Sequence, residues 1–180
     1  MIIMSYKLRI LLITILSITT MGCYTQSLVY KEVEEKDAFA QTHIIRQKDN
    51  GIVGMFTECN GCIIDFDIVY DKINNYFFLS VFYNGSDWLF IDQIIFLADK
   101  NRITLPFEGD SDFYGGSVSE WAVISISKSE LLSLVNAKDI SCRFSGKYSL
   151  DLNSNALKSV QKRWKQFVNG KLKPFIIDRE

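Results

Sequence analysis

Histidine occurs once in the 180 residues, proline twice and glycine ten times. The scarcity of Pro and Gly leaves no low-complexity linker, and no internal repeat interrupts the chain. With His43 as the lone histidine, a His-dependent triad has one place to start, and no G-x-S-x-G elbow supplies its nucleophile. His43 sits beside Ile44 and Ile45, so it reads as a solvent-facing strand residue. Net charge is almost absent, with 20 Lys plus Arg against 21 Asp plus Glu. That balance excludes a general attraction to nucleic acid, which needs a concentrated basic surface. No apolar run reaches the roughly 20 residues that a membrane-spanning helix needs.

What is present is a core. Apolar residues make up 48% of the chain, including 13 Phe and 8 Tyr. The length suits one ordinary domain, and the composition is not that of a disordered chain.

The N-terminus reads as a processing signal. Lys7 and Arg9 form a positive n-region, and Ile10 to Ile18 form a short apolar core. The segment ends Thr20-Met21-Gly22-Cys23. Gly22 and Cys23 resemble the end of the lipobox of bacterial lipoproteins, while Thr20 and Met21 depart from its common form. The resemblance covers the first 23 residues. It implies cleavage before Cys23, lipidation of the Cys23 thiol, and residence in the bacterial cell envelope, with the outer membrane favoured over the inner. Two or three acyl chains make a stable anchor, so the membrane is the first expected partner. The organisation that follows is a signal peptide over 1–22, a lipidated N-terminus and tether over 23–37, and a single domain over 38–180. The charged stretch up to Asp37 suits a tether, and a solvated first strand or helix suits it equally.

Within the domain, Phe39 to Gln47 reads as a strand. Cys62 to Tyr70 alternates, with Cys62, Ile64, Phe66, Ile68 and Tyr70 on one face. Tyr76 to Tyr83 is apolar on both faces and predicts a central strand, ended by the turn signal Asn84-Gly85. Trp88 to Ala98 and Ile103 to Phe107 predict a hairpin, with Pro106 at a sheet edge. Glu108 to Gly116 reads as a loop and Val118 to Ile126 as a strand. Ser127 and Glu130 form a capping box for a helix from Lys128 to about Ala137. Asp139 to Ser145 and Tyr148 to Leu152 are the last predicted strands. Ser154 is the predicted cap of a closing helix with the stripe Leu157, Val160, Trp164, Phe167, and Gly170 its predicted stop. Strands early and helices late predict an α+β fold, a largely antiparallel β-sheet with two late α-helices packed on it.

Four features bear on chemistry. Cys59-Asn60-Gly61-Cys62 admits a structural disulfide, a redox pair or half a zinc site. Asn-Gly between extended runs is a hairpin signal, and an exported compartment favours oxidation, so the disulfide ranks first. Zinc would have to recruit Cys142 and His43, and no metal or other cofactor is expected. Asp65, Asp67 and Asp71 read as the polar side of a half-buried strand, although paired carboxylates can do acid–base work. Asp110-Ser111-Asp112 opens like a calcium loop but lacks its later ligands. Lys158, Lys162, Arg163 and Lys165 read as a solvated helix face. The expected function is a non-enzymatic, lipid-anchored envelope module with a protein partner. The rivals are a carrier of an apolar ligand and a thiol-redox protein using Cys59 and Cys62.

Overall fold

The structure is a computed structural model that describes residues 30–53 and 61–176. The strands are β1 (Lys31–Asp37), β2 (Thr42–Lys48), β3 (Gly51–Val53), β4 (Ile63–Asp71), β5 (Tyr76–Gly85), β6 (Ile91–Ala98), β7 (Asn101–Pro106), β8 (Asp110–Tyr114), β9 (Ser117–Ile126), β10 (Ile140–Gly146) and β11 (Ser149–Leu152). Helix α1 (Lys128–Asn136) lies between β9 and β10. Helix α2 (Ser154–Phe167) runs through a π-helical turn (Val168–Leu172) into α3 (Lys173–Ile176).

The strands are antiparallel throughout, as expected, but they form two sheets rather than one. The first runs β1-β2-β4-β5-β9-β8, with β3 also paired to β4, and the second runs β11-β10-β6-β7. Alternation in a strand identifies the buried side; it does not say which strands share a sheet. The inward residues of β4 are those the alternation selects: Ile64, Phe66, Ile68 and Tyr70 are all buried. Phe66 meets the second sheet at Phe96 and Phe144, with ring centroids 5.9 and 5.7 Å away.

Helix α2 closes the space between the sheets. Its stripe Leu157, Val160, Trp164 and Phe167 is fully buried, worth about 1.5–3 kcal/mol per large apolar side chain. The Trp164 ring lies 6.1 Å from Phe66 and 6.2 Å from Phe96, and its Nε1 donates to the Phe66 carbonyl at 2.8 Å. The cap of α2 is Asn153 rather than Ser154: its Oδ1 accepts from the N–H groups of Asn155 and Ala156. Gly170 does not stop the helix. The wider π-helical turn brings Val168 and Leu172 into the core beside Phe167, and that burial carries the chain past the glycine. Helix α1 has the expected capping box. Ser127 Oγ accepts from Glu130 N at 3.2 Å, and Glu130 Oε2 accepts from Ser127 N at 2.9 Å.

Two edges settle open points. Lys31–Asp37 is the solvated strand that its charge equally suited, not a tether, and its Lys and Glu side chains keep the edge charged. Asp110–Tyr114 is a strand rather than a loop. It is exposed along its whole length, so no burial period marks it. The turn from β8 to β9 is Gly115-Gly116 with φ of +63° and +86°, which side-chain-free residues adopt without strain. Pro106 ends β7, an edge strand of the second sheet, as its missing N–H requires. Among the described residues, no helix is long and apolar enough to cross a membrane.

Candidate functional site

Cys23 and Cys59 lie outside the described residues. Cys62 immediately precedes β4, is fully buried and is disulfide-bonded, with its partner outside the described residues. Cys142 is a free, buried thiol on β10, and burial pushes it well above the ordinary thiol range. Such a thiol is inert, because the thiolate is the reactive form.

His43 is less exposed than a solvent-facing residue. Its side chain retains 16% exposure, and Nε2 is hydrogen-bonded to Glu34 Oε1 of β1 at 2.5 Å. That hydrogen bond, first among the causes, holds the Glu34 carboxyl below its usual range. Asp110 and Asp112 stand on an extended strand, so their backbone does not wrap an ion as a calcium loop does. No group of three His, Cys, Asp or Glu is placed to hold a metal ion among the described residues.

The three aspartates of β4 separate. Asp71 caps the turn to β5, accepting from the N–H groups of Ile73 and Asn74 and from Asn74 Nδ2. Asp65 and Asp67 stand on the outward face, where β2 leaves the edge of β4 and β3 takes its place. The end of β2 and the residues between β2 and β3 fill the gap. Asn50 N donates to Asp67 Oδ1 at 2.9 Å, and Asn50 Nδ2 to the Phe66 carbonyl at 2.9 Å. Gln47 Oε1 accepts from Ile68 N at 3.2 Å. Gln47 and Asn50 are fully buried, and they complete a ladder that the strand switch would leave open.

Arg163 closes this junction and departs from the expected solvated helix face. Its Nε donates to Asn50 Oδ1 at 2.6 Å and its Nη2 to the Gly51 carbonyl at 2.9 Å. Lys158, Lys162 and Lys165 are the exposed bases of α2. Asp65 is left as the uncompensated member. Its pKa is pushed up to about 6 by burial first, then by the Asp67 and Asp49 carboxylates, against the pull of Arg163. Its Oδ1 is buried with no hydrogen-bond partner. Burial, opposed by the Asn50 hydrogen bond, also raises Asp67. A carboxyl poised near neutrality suits acid–base work. The groups around this one, however, serve the chain's own backbone.

A second buried carboxylate escaped the sequence reading. Glu120 of β9 accepts from the N–H groups of Leu89, Phe90 and Ile91 at 2.7, 3.1 and 2.8 Å. It thereby fixes the crossing from the first sheet to the second. Alternation along β9 could have located it, since Val118, Glu120, Ala122, Ile124 and Ile126 share the buried side.

The outward face of the first sheet carries the remaining constellation. The register aligns Asp65 with Phe82, Phe82 with Trp121, and Trp121 with Asp110, one row across four strands. The next row sets Asp67, Ser80 and Val123 side by side. Trp121 is 37% and Val123 63% exposed. The chain matches no family model, no curated protein and no solved structure.

Proposed function

We propose that this chain is a bacterial lipoprotein of the cell envelope, anchored through Cys23, whose domain is a non-enzymatic interaction or assembly module with a protein partner. The observation that carries the reading is the apolar core Ile10 to Ile18 followed by Gly22-Cys23. Support for a binding rather than a catalytic role comes from the polar side chains already engaged in the fold. His43 is bound to Glu34, Asp67 to Asn50, and Glu120 to three amides. Cys59 is the partner we assign to the disulfide at Cys62, across the Asn60-Gly61 turn.

The test is the intact mass of the native protein extracted from membranes, after denaturing alkylation without reduction. The expected species starts at Cys23, carries acyl mass, and has one alkylated thiol, Cys142. A species without lipid overturns the anchor. Alkylation at Cys59 and Cys62 overturns the disulfide.

A further inference from the structure

The outward face of the seven-stranded sheet is built like a receptor for positive charge. In the row Asp65–Phe82–Trp121–Asp110, two carboxylates bracket two aromatic rings. From β4 to β8 the outward positions hold the carboxylates of Asp65, Asp67, Asp71, Asp110 and Asp112 and no Lys or Arg. The bases nearest this face are already engaged: Arg46 and Lys48 on β2 with Glu35, at 2.8 and 3.1 Å, and Arg163, which also pulls on Asp65, with Asn50 and Gly51. On β9 this face is open, with Trp121 and Val123 exposed, whereas at the β4 end Asp65 is half-buried beside β3, where Arg163 of α2 bonds the Gly51 carbonyl. Aromatic rings attract cations through their faces, and Trp is among the residues enriched at binding hot spots. An anionic bilayer would be repelled by the same carboxylates.

The spacing specifies the occupant further. Adjacent strands lie about 4.8 Å apart, so the outer members of a four-strand row are about 14 Å apart. An extended peptide rises about 3.4 Å per residue, which puts residues i and i+4 about 14 Å apart on one side, with i+2 between them. We propose that this face docks an extended basic segment of a partner protein, lying across the strands. Lys or Arg side chains four positions apart meet Asp65 and Asp110, and an apolar residue midway rests on Phe82 and Trp121. The proposal deepens the interaction-module reading and rests on it, but it does not depend on the lipid anchor.

The test uses the full chain in neutral detergent micelles with fluorotryptophan at its three tryptophans. The Trp121 signal is identified by its loss in Trp121→Phe, and buried Trp164 reports that the domain is folded. The probe is the peptide acetyl-Ser-Lys-Ser-Leu-Ser-Lys-Ser-amide. Its control moves the second Lys one place nearer, which turns that side chain to the opposite side. The expected result is a saturable shift of Trp121 with the probe while Trp164 stays still. Affinity should weaken about tenfold for the control peptide, which loses one charge pair, and for Val123→Lys, which sets a positive charge beside the docked basic segment. If Val123→Lys does not fold, Asp110→Asn serves the same purpose at an exposed edge. An unmoved Trp121 at millimolar peptide overturns the proposal, as does equal binding of both peptides. A Trp121 shift seen only with phosphatidylglycerol vesicles also overturns it, in favour of a membrane-contact face. The mass measurement above tests the anchor independently, so the two readings can fail separately.

Discussion

Replacing Asp65 with Asn should stabilise the protein near neutral pH and leave it unchanged near pH 4. The folded chain raises the Asp65 pKa from 3.8 to about 6, through burial first and the neighbouring carboxylates of Asp67 and Asp49 second. A carboxyl raised by folding holds its proton more tightly in the native state. Below the unfolded pKa both states are protonated and nothing is lost. As pH climbs from about 4 to about 6 the unfolded chain releases its proton first, and the native state loses stability until it also ionises. Two pKa units correspond to about 3 kcal/mol for a fully shielded group. Solvent reaches part of Asp65, and screening reduces the expected cost to about 1–2 kcal/mol. Urea unfolding of the full chain, followed by tryptophan fluorescence, measures the difference between Asp65→Asn and the parent at several pH values. The gap should open between about pH 4 and pH 6 and then stay level. A gap that does not change with pH would refute the reasoning. So would a parent that is the more stable form near neutrality.

Two further perturbations test the core and the sheet crossing. Glu120→Ala leaves the amides of Leu89, Phe90 and Ile91 without their acceptor and should cost about 3 kcal/mol or more, with faster hydrogen exchange at those three positions. Unchanged exchange there would show that Glu120 does not hold the crossing. Trp164→Ala removes the ring between the sheets and its hydrogen bond to Phe66, and should cost about 3–5 kcal/mol in thermal or urea unfolding.

The sequence was most legible where burial has a period and least where polar groups answer to partners far along the chain. The inward row of β4, the capping box of α1 and the stripe of α2 all follow from spacing alone. Strand β8 is exposed throughout and leaves no such trace; the Gly115-Gly116 pair was its one local sign. The division into two sheets depends on where the chain crosses after Gly85. Glu120 determines that crossing from 29 to 31 positions further along. Gly146 shares the constraint: a Cβ there would lie 1.9 Å from the Phe90 carbonyl oxygen, so the second sheet can receive the crossing only at a glycine. Neither residue has a meaning in its own neighbourhood of the chain.

The same distinction explains why the candidate face was read only in part. Alternation correctly placed Asp65 and Asp67 on the polar side of a half-buried strand. It had no means of showing that Arg163, on a helix whose other bases face solvent, turns towards Asn50 and Gly51. Arg163 is thus engaged with the backbone and side chain of the junction, which leaves the Asp65 Oδ1 without a hydrogen bond. Nor does a single strand reveal that Asp65 and Asp110, far apart in sequence, end one row with Phe82 and Trp121 between them. A half-buried acid that costs stability beside two other carboxylates is a poor choice for the fold alone. It becomes a more favourable one if a cation arrives from outside, because an opposite charge nearby favours the ionised carboxylate. On this argument the stability gained in Asp65→Asn and the peptide affinity lost by the same substitution are two readings of one uncompensated carboxylate. A variant that gained stability near neutral pH while keeping full affinity for the basic peptide would break the link between them.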